Sequence, residues 1–244
     1  DVIFATLGNY TSAVQHDLVL EHAQWLDLDR QIGKLINESN KTLIIPVGKT
    51  LIVNETATTN APERLRLESE PGQANGALIL NNPIQNQHVQ ATVEFASISK
   101  PGTGTWPRVW QYFGTPVKDK RLNELFTNVQ GSIYGGNPAV NSIVRIYDET
   151  LNDPQSYQEK WHDIAPTEYV SPFLGYEITQ PQTAFDNAAA NPYTFKGELI
   201  TDNEYNIIEN ISPIGIYSRG NYILANPYAA PIFISKMQSS DFGN

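Results

Sequence analysis

The 244-residue chain has no cysteine. That excludes a disulfide framework, a thiolate zinc site and a cysteine nucleophile. Small exported domains often depend on disulfides, but a chain of this length can bury a large core without them. The absence leaves the compartment open, and it suits an exported bacterial protein that stays unfolded until it has crossed a membrane. Charge is also sparse. Asp, Glu, Lys and Arg make up 17% of the residues, against roughly 25% in ordinary soluble domains. Cations are the scarcer sign: 16 Lys and Arg stand against 26 Asp and Glu, a net charge of -10. So acidic a chain repels phosphate, which argues against nucleic acid and anionic membrane surfaces as partners. No run of eighteen apolar residues occurs, so no membrane-spanning helix is expected. A charged start followed by an apolar stretch is missing too. The sequence opens on Asp1-Val2-Ile3-Phe4 and reads as a mature form or an internal fragment.

Asn, Thr, Gly, Pro and Tyr fill the gap, with 16 Gly, 16 Pro and 12 Tyr. A polar, uncharged, aromatic composition of this kind is typical of extracellular β-proteins. The length fits one large all-β domain or two of about 100 residues.

Short strand patterns dominate. Thr42–Pro46 and Thr50–Val53 flank Val47-Gly48-Lys49 as strand, tight turn and strand. Arg64–Glu68 and Val89–Phe95 alternate with period two, as half-buried strands do. Gly76–Leu80 is a short apolar run. These segments predict ladder rungs over about 40–100, as in a short β-solenoid or the edge of a sandwich. Leu18–Asn37 is the one helix candidate in this half. The breakers Lys100–Thr105 mark a boundary, giving a β-rich, solenoid-like or sandwich region over 1–100 and an antiparallel β-sandwich over 101–244. In the second region Val109–Gly114, Ile143–Asp148, Trp161–Ile164, Gly175–Thr179, Tyr193–Leu199, Gly220–Leu224 and Pro231–Ile234 read as strands. Leu122, Leu125, Phe126 and Val129 recur at helical spacing, which predicts a short helix within Asp119–Val129.

Seven segments carry a resemblance through their order: Pro46–Val53 as a hairpin, Glu68–Ile79, Val89–Glu94, Trp110–Val117, Pro172–Ile178, Thr194–Leu199 and Gly220–Tyr228. The set resembles a module common in large secreted and cell-surface proteins of Bacteroidetes, many of them adhesins or surface-layer components. Those proteins often leave the cell by the type IX secretion route. The resemblance covers roughly residues 41–234. It implies a non-enzymatic structural or adhesive protein, extracellular or on the outer cell surface. Its partners would be the secretion machinery and other surface proteins or extracellular glycans. In that family the last motif lies in mid-domain, ahead of further strands and often a C-terminal sorting domain. Here the chain ends about ten residues past its last strand, at Asn244, so the resemblance implies that the second domain is incomplete.

No catalytic motif stands out. His16, His22, His88 and His162 lack zinc-binding spacing and read as structural or solvated. No Gly-x-Ser-x-Gly elbow is present. Gly102-x-Gly104 lacks the strand and helix that a dinucleotide site needs. Asp27/Asp29, Asp148/Glu149 and Asp163/Glu168 are acid pairs, read chiefly as acidic surface. Asp27 and Asp29 would share one face of a strand. Calcium is the one conceivable cofactor, and Asp148, Asn152 and Asp153 would supply its hard oxygens. Trp106 in its Gly/Pro loop, Tyr134 and Tyr228 are the candidate ligand-contacting aromatics. Trp110 and Trp161 alternate with polar neighbours and are expected to point into the core.

Three readings follow. The first is a surface structural or adhesive protein that contacts partners through loops or sheet edges and self-assembles through an open β-edge. The second is a carbohydrate-binding module of a larger secreted protein, favoured by an exposed line of aromatics. The third is a glycoside hydrolase, which needs two carboxylates facing each other about 5–10 Å apart.

Overall fold

The computed structural model describes residues 18–19, 23–82, 88–99, 109–126, 129–130, 142–148, 160–179, 192–201, 223–232 and 234–237. Its fold is all-β, with one short α-helix and two 3-10 turns among the described residues, and the chain divides into two compact units. One comprises Asp1–Ala96, Thr194–Asn203 and Tyr228–Ala230, the other Ser97–Tyr193, Glu204–Pro227 and Pro231–Asn244. Among the described residues no helix is long and apolar enough to cross a membrane.

In the first unit the chain visits three sheets in rotation. Strands β1 (Leu18–Val19), β4 (Leu35–Asn37) and β7 (Ala57–Thr59) form one sheet. A second holds β2 (Gln24–Trp25), β5 (Leu43–Ile45), β8 (Leu65–Leu67) and β10 (Gln90–Phe95), and a third β3 (Arg30–Ile32), β6 (Thr50–Val53) and β9 (Ala77–Leu80). All pairings among these strands are parallel. Each coil therefore lays its strands on those of the coil before. The register shows why no regular repeat is visible in the sequence: Leu18 pairs with Leu35, Leu35 with Ala57 and Leu51 with Leu78. The steps are 17, 22 and 27 residues, taken from those same pairs.

Stacking aligns like with like. Leu43 lies beside Leu65, Ile45 beside Leu67 and Leu51 beside Leu78, and all six are at most 3% exposed. Burying each such side chain contributes about 1.5–3 kcal/mol. The corner between the first two sheets is polar. The Asn37 side chain, 1% exposed, donates to the carbonyls of Lys41 at 3.0 Å and Arg64 at 2.8 Å. Thr42 donates to Glu63 and Thr92 to Pro62 in the same way. These side chains satisfy the turn carbonyls that parallel coils leave unpaired.

Two local expectations change here. Leu18–Asn37 is four strands, β1 to β4, and not a helix. Its buried apolar residues Leu18, Leu26, Ile32 and Leu35 are met as the chain passes from wall to wall of the coil and back to the first, where Leu35 pairs with Leu18, so their spacing follows neither helical nor strand period. The segment Pro46–Val53 is not a hairpin either. β5 and β6 flank the turn, but they belong to different sheets, so the turn is a corner of the coil.

The second unit is built on a sheet ordered β11 (Gln111–Phe113), β17 (Tyr176–Thr179), β14 (Ser142–Tyr147) and β13 (Val129–Gln130). β15 (Trp161–Asp163) runs antiparallel to β14 beyond the short parallel pairing of β13. A two-stranded ribbon joins β12 (Lys120–Arg121) to β16 (Tyr169–Val170). Helix α1 covers only Leu122–Leu125 of the stretch expected to be helical. Its first amides donate to the carbonyls of Glu168 and Pro166. It stops where Phe126 turns extended and packs edge-on against Phe113, ring centroids 5.4 Å apart.

β18 (Tyr193–Glu198) comes from late in the chain and pairs with β10, as the outermost strand of the second sheet of the first unit. Phe195 is buried there, and the Leu199 amide donates to the Val89 carbonyl at 2.8 Å.

Candidate functional site

The register across the second unit's sheet places four side chains in one transverse row: Tyr112 on β11, Glu177 on β17, Arg145 on β14 and Asp163 on β15. Residues directly opposite in neighbouring strands share a face. Two positions along β11 toward the N-terminus, Trp110 lies on that face too, as do the paired Tyr147 and Trp161 of the next row. The other face is apolar, with Phe113, Tyr176 and Phe126 packed together at 5.4–5.6 Å between centroids.

Arg145 and Glu177 form an ion pair. The guanidinium lies 3.9 Å from the centre of the Trp110 ring and 5.7 Å from that of Trp161. Tyr112 stacks on Trp161 at 5.9 Å with 26° between the ring planes, and Tyr147 meets Trp161 edge-on at 5.5 Å. Tyr112 and Trp161 come from strands separated by β17 and β14, so their rings reach toward each other over the ion pair. The rings roof the pair and strip it of water. Glu177 is 3% exposed, whereas Tyr112 above it is 60% exposed. Burial pushes the Glu177 carboxyl above its ordinary range, Arg145 pulls it back, and the Asp163 charge pushes it up again.

At one end of the sheet the chain crosses closely. The Gly175 amide donates to the Ile223 carbonyl at 2.7 Å, and the Ala225 amide to the Phe173 carbonyl at 2.9 Å. A Cβ on Gly175 would lie 2.2 Å from Ile223 Cγ2, and one on Gly114 would lie 2.2 Å from Ala225 Cβ. Only glycine admits this crossing.

The structure redistributes the residues singled out from sequence. Trp110 and Trp161 are half-buried in the roof and not in the core. Strand alternation shows that two residues share a face, but it does not say which face is wet. Trp106 and Tyr134 lie outside the described residues. Tyr228 is half-buried in the first unit, next to Ala229, whose carbonyl accepts from the Leu78 amide. Asp148 ends β14, and its amide donates to the Lys160 carbonyl at 2.8 Å. The other two proposed calcium ligands, Asn152 and Asp153, lie outside the described residues. Among those residues no three His, Asp or Glu side chains gather as a metal site would require.

Asp27 and Asp29 sit in the turn between β2 and β3 and not on a strand. Slight desolvation raises the Asp27 pKa, but Arg30 at 2.9 Å holds it below its ordinary value. Asp29 accepts the Thr50 amide. Glu168 accepts the Ala165 amide. His88 stands 3.6 Å from Glu198 on the surface. The residues that sequence reasoning missed are Arg145 and Glu177. Their signal was a charge at mid-strand between apolar neighbours, in Val144-Arg145-Ile146 and Tyr176-Glu177-Ile178.

Chemically, the roof is a rigid aromatic surface whose charged groups are spent on each other. Fold and site together define an all-β protein with an ion pair roofed by aromatic rings on one sheet. No protein-family model matches the chain, and no solved structure matches it. The sequence is similar to the minor fimbrium subunit Mfa5 of Porphyromonas gingivalis. The two are 29% identical over 242 residues, covering 97% of this chain and 18% of that relative. The chain thus spans less than a fifth of the relative's length.

Proposed function

We propose that this chain is a non-enzymatic module of a larger cell-surface protein of a Bacteroidetes bacterium, structural or adhesive in role, which assembles with other surface proteins. The observation that carries the reading is the similarity to a fimbrium subunit along almost the whole chain. The fold supports it: stacked parallel coils and a sheet with a roofed ion pair give rigidity. The first unit reads as a short β-solenoid. Sparse charge and the absence of cysteine accord with an exported protein, and type IX secretion is its proposed route.

Immunogold labelling tests this reading, with antibody raised against the chain and applied to intact cells and to appendages sheared from them. Label is expected on the surface and in the sheared fraction. Label confined to the cell interior would overturn the proposal.

A further inference from the structure

The corner that joins β8 to β9 carries a reactive pair. Asn75-Gly76 is the one Asn-Gly dipeptide of the sequence, and packing fixes its glycine. A Cβ on Gly76 would overlap the Ile45 carbonyl oxygen and lie 3.0 Å from that of Pro46, so a side chain has no room there. Asn75 itself is exposed, and no hydrogen bond holds its side chain among the described residues. Glycine after asparagine leaves the next backbone nitrogen unshielded, so that nitrogen reaches the asparagine Cγ with least hindrance. The fold thus requires a pair that is chemically labile.

The same fold restrains it. The Gly76 amide donates to the Glu68 carbonyl at 2.8 Å, and the Ala77 amide to the Lys49 carbonyl at 2.9 Å. On the other side the Gly48 amide donates to the Ala74 carbonyl at 2.7 Å. The peptide units that flank Asn75 are therefore pinned to the end of β8 and to the corner of the preceding coil. For reaction the Gly76 nitrogen must lose its proton and swing onto Asn75 Cγ. It does neither while it donates to Glu68.

We propose that Asn75 is a fold-guarded deamidation site, whose amide survives while the corner is closed and converts when the corner opens. In the opened chain the Gly76 nitrogen bonds to Asn75 Cγ. The side-chain nitrogen leaves as ammonia, taking the proton that Gly76 gives up, and a cyclic imide remains. Water then adds to one of the two imide carbonyls and breaks its bond to the nitrogen. Aspartate or isoaspartate is left at position 75. Isoaspartate lengthens the backbone by one carbon between two pinned peptide units. Either product adds a negative charge to a corner that already carries Glu68 and Glu70, and like charges oppose its closure. Conversion is then a one-way latch that marks a chain whose first unit has opened. The inference concerns the isolated molecule and does not depend on where the protein resides.

The test incubates the intact folded protein, the same protein unfolded in urea, and a synthetic peptide of residues 70–80 at mildly alkaline pH. Peptide mapping by mass spectrometry follows every asparagine. Asn75 should convert first in the unfolded chain, at a rate close to that of the peptide. The folded protein should convert there at least tenfold more slowly, which corresponds to a corner that costs about 1.4 kcal/mol to open. The converted fraction of aged folded protein, separated by its extra charge, should melt lower than the rest or show no transition. Asn75→Gln, whose longer side chain closes a ring far more slowly, should lose that fraction. The proposal is overturned if Asn75 converts as fast folded as unfolded, if another asparagine outruns it in the unfolded chain, or if converted and unconverted chains melt alike.

Discussion

Arg145 and Glu177 face each other across β14 and β17 and pair beneath the rings of Trp110, Tyr112 and Trp161. Neither partner tolerates loss of the other equally. Arg145→Met strands a buried carboxylate and should cost about 3–5 kcal/mol in urea unfolding at neutral pH. Glu177→Gln keeps an acceptor beside Arg145 and should cost less, about 1–2 kcal/mol. The pH dependence carries the sign. The Glu177 pKa is raised in the folded state, so its neutral form is favoured there and the penalty of charging it fades as pH falls. The deficit of Arg145→Met should therefore shrink on acidification through the Glu177 pKa. A deficit that grows at low pH would contradict the pairing.

Gly175→Ala places a Cβ 2.2 Å from Ile223 Cγ2 and 3.0 Å from the Ile223 carbonyl oxygen. Overpacking of this kind costs about 1–3 kcal/mol or more. Adding Ile223→Ala should recover part of the loss, because it removes the nearer contact and leaves the carbonyl. Thermal melts of the single and double variants measure this, and full additivity of the two losses would show that the crossing is looser than described.

Asn37→Ala removes two donors from the part-buried carbonyls of Lys41 and Arg64. Leaving them unpaired should cost about 1–3 kcal/mol. Asn37→Asp should cost at least as much, since a carboxylate has no N–H to donate. Denaturant midpoints of the two variants decide the point.

Tyr176 predicts an alkaline transition. Burial pushes its phenol up to about 12, against a hydrogen bond from the Ser171 amide that lowers it and the Glu168 charge that raises it. A raised pKa in the folded state means that its stabilising contribution is complete below the unfolded value near 10 and is lost as pH rises through about 12. The linkage amounts to about 2–3 kcal/mol. Absorbance titration should show a late-ionising tyrosine that is missing in Tyr176→Phe, and the variant's stability should fall less between pH 10 and 12.

Much of this architecture was legible in the sequence, because strand formation is a local matter. Alternation in Val89–Phe95 and Tyr193–Leu199 located β10 and β18 correctly. Pairing is not local. A strand, a Gly turn and a strand look the same whether the chain doubles back on itself or turns a corner into another sheet, which is how Pro46–Val53 misled. The variable coil length hid the repeat for the same reason, since insertions at corners leave the stacking of Leu43 on Leu65 intact. The roof was hidden differently. Which face of β11 meets water depends on Phe126 and Tyr176 packing beneath Phe113, contacts that come from distant segments.

The pairing of β18 with β10 also sets an order of events for the newborn chain. Thr194 follows Ala96 in the same compact unit after an excursion of 97 residues. Until that excursion has been synthesised, β10 is an open edge, and closing so long a loop is slow compared with local coil formation. A fragment cut at residue 100 would keep every coil and lack its closing strand, leaving a sticky β-edge prone to aggregation. The coils of the first unit are thus closed only by a strand that follows them after an excursion of 97 residues.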